Sequence, residues 1–214
     1  MATVIQRPKK KRPLKNGHAN MPEDIVRLIS KKDLWTEQEY LALDNAVGAW
    51  MIELVDGRLE VLPMPNMIHQ DILVFLFSFL KAFVSARGLG RVYFSPMPVR
   101  LFPGTLREPD IVFLKKNRIK DKRKPPEGAD LVMEIVSPGG RKRDLKDKRS
   151  DYAKAKIPEY WIVDPKARSI TILMLTSESY EVHGVFTEGD EATSKLLRGF
   201  KVAVSDVFAA GEEK

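Results

Sequence analysis

Two carboxylates stand inside neighbouring apolar segments of the chain. Asp110 lies in the apolar run 108–114, and Glu134 lies in the run 131–138. A carboxylate within an apolar strand is costly to bury unless a positive group meets it. Two such groups on neighbouring strands would provide the hard oxygen ligands that Mg²⁺ prefers. The alternative is that each carboxylate lies at a strand edge and simply faces water.

A very polar helix, predicted over residues 143–156, follows Glu134. Asp144, Lys148 and Tyr152 recur in it at a spacing of four and therefore fall on one stripe. Because the segment has few apolar positions, we expect the stripe to face a polar cleft, unless the helix is peripheral and held by Asp–Lys pairs. A lysine beside a metal-bound water can orient that water, so phosphodiester hydrolysis fits these residue types without excluding other metal-assisted chemistry.

The elements around these residues predict an α/β domain in which helices flank a mixed sheet. Asp56-Gly57 separates two strand-like runs and predicts a hairpin. From residue 66 to residue 87, apolar side chains recur every three or four positions and predict the longest helix. Further strands are expected at 91–102, 159–165, 169–175, 180–186 and 192–197, and further helices at 22–30, 36–43 and 204–208.

Length and composition narrow the function classes. The 214 residues suit one domain, placed at 21–214, and the absence of Cys excludes disulfides, thiolate metal sites and a cysteine nucleophile. GxxxxGK[ST], GxGxxG and GxSxG motifs are absent, which weakens nucleotide-binding and serine-hydrolase interpretations. The longest apolar run, Ile72 to Leu80, is expected to be too short to span a bilayer, so we expect a cytoplasmic protein without a membrane partner.

Positive charge is concentrated near the beginning of the chain. The formal net charge is +7, and residues 1–20 contribute +6 of it without any acidic residue. We expect residues 1–20 to form a disordered basic tail, in which Lys9, Lys10, Lys11 and Arg12 contact nucleic acid or simply remain solvated. Arg141 and Arg143, which follow the second carboxylate, are predicted to contact a phosphate backbone.

Taken in order, these motifs closely resemble the Uma-type family of restriction-endonuclease-like proteins, within the PD-(D/E)XK nuclease superfamily. The likeness covers roughly residues 33 to 208. It is carried by Pro109-Asp110, the run 134–138, Arg143-Asp144 with Lys148 and Tyr152, the run 157–165, and upstream by the run 52–57 and His69-Gln70.

The resemblance implies a restriction-endonuclease-like core and a metal-dependent nuclease site. Asp110 and Glu134 would hold Mg²⁺ or Mn²⁺, and Glu53 would be an accessory acid on the leading helix-and-hairpin element. Lys148 would replace the lysine that the superfamily usually places two residues after the acid, where this chain has Val136. His69 and Tyr152 would line the site. Gly139-Gly140 stands where the family often has a further small polar residue.

Our primary hypothesis is therefore a Mg²⁺-dependent DNA endonuclease in which Lys148 orients the attacking water. The alternatives are a protein that binds nucleic acid without cleaving it and an assembly module built on the same scaffold. Cutting both strands of a duplex would favour a homodimer, although the sequence shows no recognisable dimer surface.

Overall fold

The computed structural model describes residues 23–30, 32–45, 51–62, 64–138, 140–141 and 143–212. Two compact units divide the chain, Met1–Asp33 and Leu34–Lys214. In the first unit the described element is a helix, α1 (Glu23–Ser30). The predicted basic tail, with Lys9, Lys10, Lys11 and Arg12, lies outside the described residues.

The second unit contains all the other described helices and strands. Its α-helices are α2 (Glu37–Leu41), α3 (Met67–Ala86), α4 (Arg149–Lys154) and α5 (Val204–Ala209). The strands are β1 (Met51–Val55), β2 (Arg58–Leu62), β3 (Gly90–Phe94), β4 (Val99–Phe102), β5 (Thr105–Arg107), β6 (Ile111–Lys115), β7 (Leu131–Ile135), β8 (Glu159–Asp164), β9 (Ser169–Leu175), β10 (Tyr180–Thr187), β11 (Glu191–Thr193) and β12 (Lys201–Ala203).

The central layer is a six-stranded mixed sheet with the order β10-β9-β8-β7-β6-β3. All its neighbouring strands are antiparallel except β7 and β8, which run parallel. A parallel pair needs a crossover connection, and here the polar segment between the strands supplies it as a π-helix, Arg143–Lys148, followed by α4. A second sheet has the order β2-β1-β5-β4, and β11 pairs with β12.

Each face of the central sheet is covered by apolar side chains. One core joins Leu76 and Leu80 of α3 to sheet residues such as Met133 and Trp161. The other core joins Tyr152 and Ala153 of α4 to alternate residues of the same strands, such as Val132 and Tyr160. Because successive strand residues point to opposite faces, Glu134 shares its face with Val132 and therefore lies on the side that α4 covers. The predicted α/β class with a mixed sheet and flanking helices is confirmed.

Helix α3 is more membrane-like in composition than its uninterrupted apolar run suggested. It has 20 residues with a mean hydropathy of 1.6, and in the described part of the chain it is the helix that is long and apolar enough to cross a bilayer. Its inward side, including Ile72, Leu76 and Leu80, packs in the core. Length and composition alone do not separate such a core helix from a membrane-spanning one.

Several local predictions are confirmed and others are wrong. The hairpin forms at Asp56-Gly57, where both residues have positive φ (49° and 74°), as a tight two-residue turn requires. The single strand predicted at 91–102 is instead β3 and β4, in two different sheets, because Pro96 and Pro98 remove backbone donors between them. The strand predicted at 192–197 is only Glu191–Thr193, and the helix predicted at 143–156 begins as a π-helix.

Candidate active site

The strand register brings the two predicted metal ligands to one place. β6 and β7 pair antiparallel with Ile111 opposite Met133, so Asp110 falls opposite Glu134. The backbone N–H of Ile135 donates a 2.7 Å hydrogen bond to Asp110 Oδ2. Both carboxylates are buried, with 6% of Asp110 and 2% of Glu134 exposed. The interpretation in which each lies at an edge and faces water is therefore wrong.

Glu134 is held by two side chains from the crossover connection. Lys148 Nζ lies 2.8 Å from each carboxylate oxygen of Glu134, and the Tyr152 hydroxyl donates a hydrogen bond to Glu134 Oε1. Lys148 and Tyr152 are themselves buried. The stripe predicted from their spacing thus faces a polar cluster, and the alternative of a peripheral helix is wrong.

His69 reaches the same cluster from the first turn of α3. Asn66 caps this helix by accepting a hydrogen bond from the His69 backbone N–H, which fixes the position of His69 in the first turn. The imidazole Nε2 lies 3.1 Å from Asp110 Oδ2. With the Ile135 N–H, His69 occupies that oxygen, while Asp110 Oδ1 has no hydrogen-bond donor among the described residues.

Glu53 lies on β1, within the hairpin and not on a helix, and both its oxygens are engaged. Oε2 accepts a 2.6 Å hydrogen bond from Arg107, and Oε1 accepts one of 2.9 Å from the Glu108 N–H. Lys148 Nζ lies 3.4 Å from Oε1. Glu53 therefore acts on the site mainly through Lys148, which it shares with Glu134.

Arg107 is a buried organising residue that the sequence reasoning missed. Besides Glu53, it contacts Glu60 of β2 at 3.0 Å and Asp151 of α4 at 2.7 Å. Its guanidinium joins three elements that converge on the site, and its side chain is 1% exposed. The only available signal was an arginine just before the run that contains Asp110, which does not distinguish it from a surface arginine.

The protonation behaviour of the two glutamates differs sharply. Burial, with the nearby charges of Asp110, Asp144 and Glu53, raises the pKa of Glu134 to about 8 against the opposing effect of Lys148. Burial also disfavours the charged form of Glu53, but Lys148 and Arg107 outweigh it and lower the pKa of Glu53 to about 2. Glu134 is thus the carboxylate at which burial outweighs its positive partner.

The other members of the cluster follow the same electrostatics. Burial opposes the charged form of Lys148, but the carboxylates around it, Glu134 first, raise its pKa, so the amine stays protonated. Burial and the charge of Glu134 raise the pKa of the Tyr152 hydroxyl well above its usual value, so Tyr152 stays a neutral donor. Burial likewise raises the pKa of Asp144.

Asp144, which the spacing of four places on the same stripe as Lys148 and Tyr152, is a further acidic residue of the site. The π-helix places its Oδ1 4.0 Å from Lys148 Nζ and 3.5 Å from Arg143 Nε. Its buried Oδ1 has no hydrogen-bond donor. Gly140 makes this approach possible, because a Cβ at residue 140 would lie 2.6 Å from Ser137 Oγ and 3.1 Å from Asp144 Oδ2.

The donor set fits a divalent cation of the Mg²⁺ type. Within the described residues, no three His, Asp or Glu side chains converge tightly enough to enclose an ion by themselves. Mg²⁺ does not require such a cage, because it commonly binds through one or two carboxylates and keeps water and phosphate oxygens as its other ligands. Among the described residues, Asp144 Oδ1 is buried without a donor and the hydrogen bonds of Asp110 fall on Oδ2, while burial and neighbouring carboxylates raise the pKa of Glu134.

The predicted nucleic-acid contacts are placed unevenly. Arg141 is exposed and forms an ion pair with Asp164, whereas the Arg143 side chain is 19% exposed and lies against Asp144. Arg143 is therefore better placed to adjust the acidic cluster than to extend toward a distant phosphate.

Comparisons with known proteins agree with this geometry. The Uma2 family, described as "Putative restriction endonuclease", matches residues 37–205. A crystal structure titled as a "putative nuclease belonging to DUF820" from Anabaena variabilis ATCC 29413 superposes with a TM-score of 0.68 at 20% identity. The match covers 83% of this chain and 99% of that one.

No curated protein matches the chain. The structural similarity shows a shared nuclease-like fold, and the family match spans the strands and helices that carry Glu53, Asp110, Glu134 and Lys148. The chain belongs to the Uma2 family of restriction-endonuclease-like proteins.

Proposed function

We propose that this protein is a divalent-metal-dependent nuclease that hydrolyses phosphodiester bonds in DNA, with Mg²⁺ or Mn²⁺ as the metal. The observation that carries the proposal is the buried cluster of Asp110, Glu134 and Asp144 around the ammonium of Lys148. Burial, together with the charges of Asp110, Asp144 and Glu53, raises the pKa of Glu134 to about 8 against the effect of Lys148. Membership of the Uma2 family supports the same reaction class.

Asp110 and Glu134 are the proposed ligands of the cation, and Asp144 is close enough to the cluster to contribute. A bound divalent cation would lower the pKa of a coordinated water and neutralise charge on the phosphate. Both oxygens of Glu134 accept hydrogen bonds in the structure, from Lys148 and Tyr152, so its ligation would require these donors to share an oxygen with the cation.

Lys148 is proposed to orient the attacking water and to offset negative charge as it develops on the phosphate. The carboxylates around Lys148 keep the amine protonated, so it acts as a hydrogen-bond donor and a cation rather than as a base. Tyr152 holds Glu134, and His69 holds Asp110, so both residues position the carboxylates. Hydrolysis forms a bond from the water oxygen to phosphorus as the bond to the leaving sugar oxygen breaks.

The test is a cleavage assay on supercoiled, linear and single-stranded DNA with Mg²⁺, Mn²⁺ or EDTA. We expect cleavage with either metal, none in EDTA, and none from Asp110→Ala or Glu134→Ala proteins that retain the wild-type circular dichroism spectrum. Activity in either folded variant would refute the assignment. Metal-independent DNA affinity without cleavage in the wild type would instead favour the non-catalytic binding protein.

A further inference from the structure

A second charged surface lies on the opposite side of α4 from the catalytic cluster. It is a groove of about 650 Å³ between α4 and the turn that leads from β9 into β10. At 3.6 residues per turn, Asp151 and Tyr152 point from α4 toward the cluster, whereas Arg149 and Lys154 lie on the groove side. We define this phosphate groove by Lys146, Arg149, Lys154, Lys156, Glu178 and Tyr180.

The cations of the phosphate groove have no acidic partner among the described residues. Four basic side chains line it with one carboxylate, Glu178. In the part of the chain that the structure describes, no carboxylate oxygen lies within 4.0 Å of any of these four cations. Some exposed cations elsewhere do have such partners, as Arg123 does in Asp121 and Lys201 does in Glu191. The positive charge of the groove is thus available to a ligand.

Neutral groups fix the direction of three of these cations, Arg149, Lys154 and Lys156, without cancelling their charge. Arg149 donates a 2.7 Å hydrogen bond to the Tyr180 carbonyl, and Lys156 donates one of 2.9 Å to the Ser177 carbonyl. Lys154 Nζ lies 3.7 Å from the centre of the Phe102 ring. Side chains held in this way lose less conformational entropy when an anion binds, which distinguishes the groove from a loosely solvated row of lysines.

We propose that the phosphate groove binds the sugar–phosphate backbone of the nucleic acid whose cleavage was proposed above. Several cations without acidic partners along one groove suit a chain of phosphates, because each contact releases condensed counterions. Contacts to phosphates carry no sequence information, so the groove contributes affinity and register but not sequence preference. This inference rests on the proposed function for the identity of the strand, but its test is independent of cleavage.

The experiment measures binding of the full chain to a fluorescein-labelled DNA duplex and to the matching single strand in EDTA, across a salt series. The variant is Lys146→Gln/Lys154→Gln, and the control is Lys81→Gln/Lys195→Gln, which removes the same charge from exposed lysines outside the groove. Each lost phosphate contact should reduce the slope of log K against log salt by about 0.9 for the duplex and about 0.7 for the single strand. We expect the groove variant, which loses two cations, to lose about 1.8 units of slope with the duplex and about 1.4 with the single strand, and the control to keep the wild-type slope.

Equal slopes for the groove variant and the control would overturn the proposal. The two proposals fail separately. If the groove variant shows the expected slope loss but the wild type never cleaves DNA, the nuclease function is refuted and the groove is supported. A wild type that cleaves while the groove variant keeps the full slope supports the nuclease and refutes the groove. A slope loss with the single strand but not the duplex supports the groove and assigns it to single-stranded substrate.

Discussion

Two buried charged clusters meet in this domain, and they are balanced differently. Around Arg107, the guanidinium contacts Glu53, Glu60 and Asp151 through hydrogen bonds of 2.6 to 3.0 Å. Around Lys148, the ammonium lies 2.8, 3.4 and 4.0 Å from Glu134, Glu53 and Asp144, and Arg143 lies 3.5 Å from Asp144. Arginine offers five donors in a fixed fork and lysine three around a point charge, so the first cluster is satisfied and the second is not.

The difference suggests a structural role for the Arg107 cluster and a functional role for the Lys148 cluster, which share Glu53. The Arg107 cluster joins β1, β2, β5 and α4 and has its hydrogen bonds in place. The Lys148 cluster keeps an orphaned carboxylate oxygen on Asp144 and a glutamate with a pKa near 8. Perturbed groups of this kind concentrate at functional sites. Glu53 contacts both Arg107 and Lys148 and therefore connects the two clusters.

The largest effect is expected from Lys148→Met, which removes the one cation within 4.0 Å of Glu134 among the described residues. Breaking a buried charge pair from one side costs about 3–5 kcal/mol, so the variant should lose that much stability in urea unfolding with EDTA and should not cleave DNA. Mg²⁺ should restore part of the stability, because a divalent cation can take the position of the lost charge. Equal stability with and without Mg²⁺ would contradict a cation site there.

Arg107→Met should destabilise the protein by a similar amount, about 3–5 kcal/mol, because it leaves Glu53 and Asp151 without their partner. Here Mg²⁺ should restore nothing, since the carboxylates around Arg107 are arranged for a guanidinium fork. Urea unfolding of both variants with and without Mg²⁺ gives the comparison directly. Lys201→Met, at an exposed ion pair with Glu191, is the matched control and should change stability by less than about 1 kcal/mol. Rescue of Arg107→Met by Mg²⁺ would erase the distinction between the clusters.

Glu134 and Glu53 should change the stability of the fold in opposite directions as pH rises. The folded-state pKa of Glu134, about 8, lies above its ordinary value of 4.5, so its protonated form stabilises the fold below pH 4.5 and this stability is lost as pH rises through 8. The pKa of Glu53, about 2, is depressed, so its contribution is present above pH 4.5 and is lost as pH falls toward 2.

Glu134→Gln should therefore remove the decline in metal-free stability between about pH 5 and pH 8 while leaving the acid limb unchanged. Urea unfolding in EDTA across this range measures both limbs. A wild-type decline that persists in the variant would place the titrating group elsewhere.

The smallest effect is expected from Gly140→Ala. The added methyl would come within 2.6 Å of Ser137 Oγ and 2.9 Å of Arg143 Nη2, and these side chains must shift. We expect a loss of about 1 kcal/mol in stability and a loss of cleavage of about tenfold, because Asp144 moves with its neighbours. Gly189→Ala, in an open turn with positive φ, adds backbone strain without a side-chain clash, so it should lower stability and leave cleavage unchanged. Full cleavage activity in Gly140→Ala would show that the position of Asp144 does not matter.

The sequence predicted those parts of the site that local spacing determines. The hairpin at Asp56-Gly57, the helix that carries His69 and the opposed carboxylates of Asp110 and Glu134 follow from turn residues, apolar period and strand alternation. Arg107 could not be predicted in the same way. Its three carboxylate partners are 44 to 54 residues distant in the chain, and only the pairing of β1 with β5 brings Glu53 opposite it.

The π-helix at Arg143–Lys148 has a consequence for how this segment can change during evolution. A π-turn holds about one residue more than an α-turn, and such turns are frequent at functional sites. The loss of a single codon here would let the segment close as ordinary α-helix. Asp144 would then rotate by about 100° relative to Tyr152, while the hydrophobic layers of the protein stayed intact. One in-frame deletion would thus move Asp144 away from the proposed metal site while the fold stayed intact.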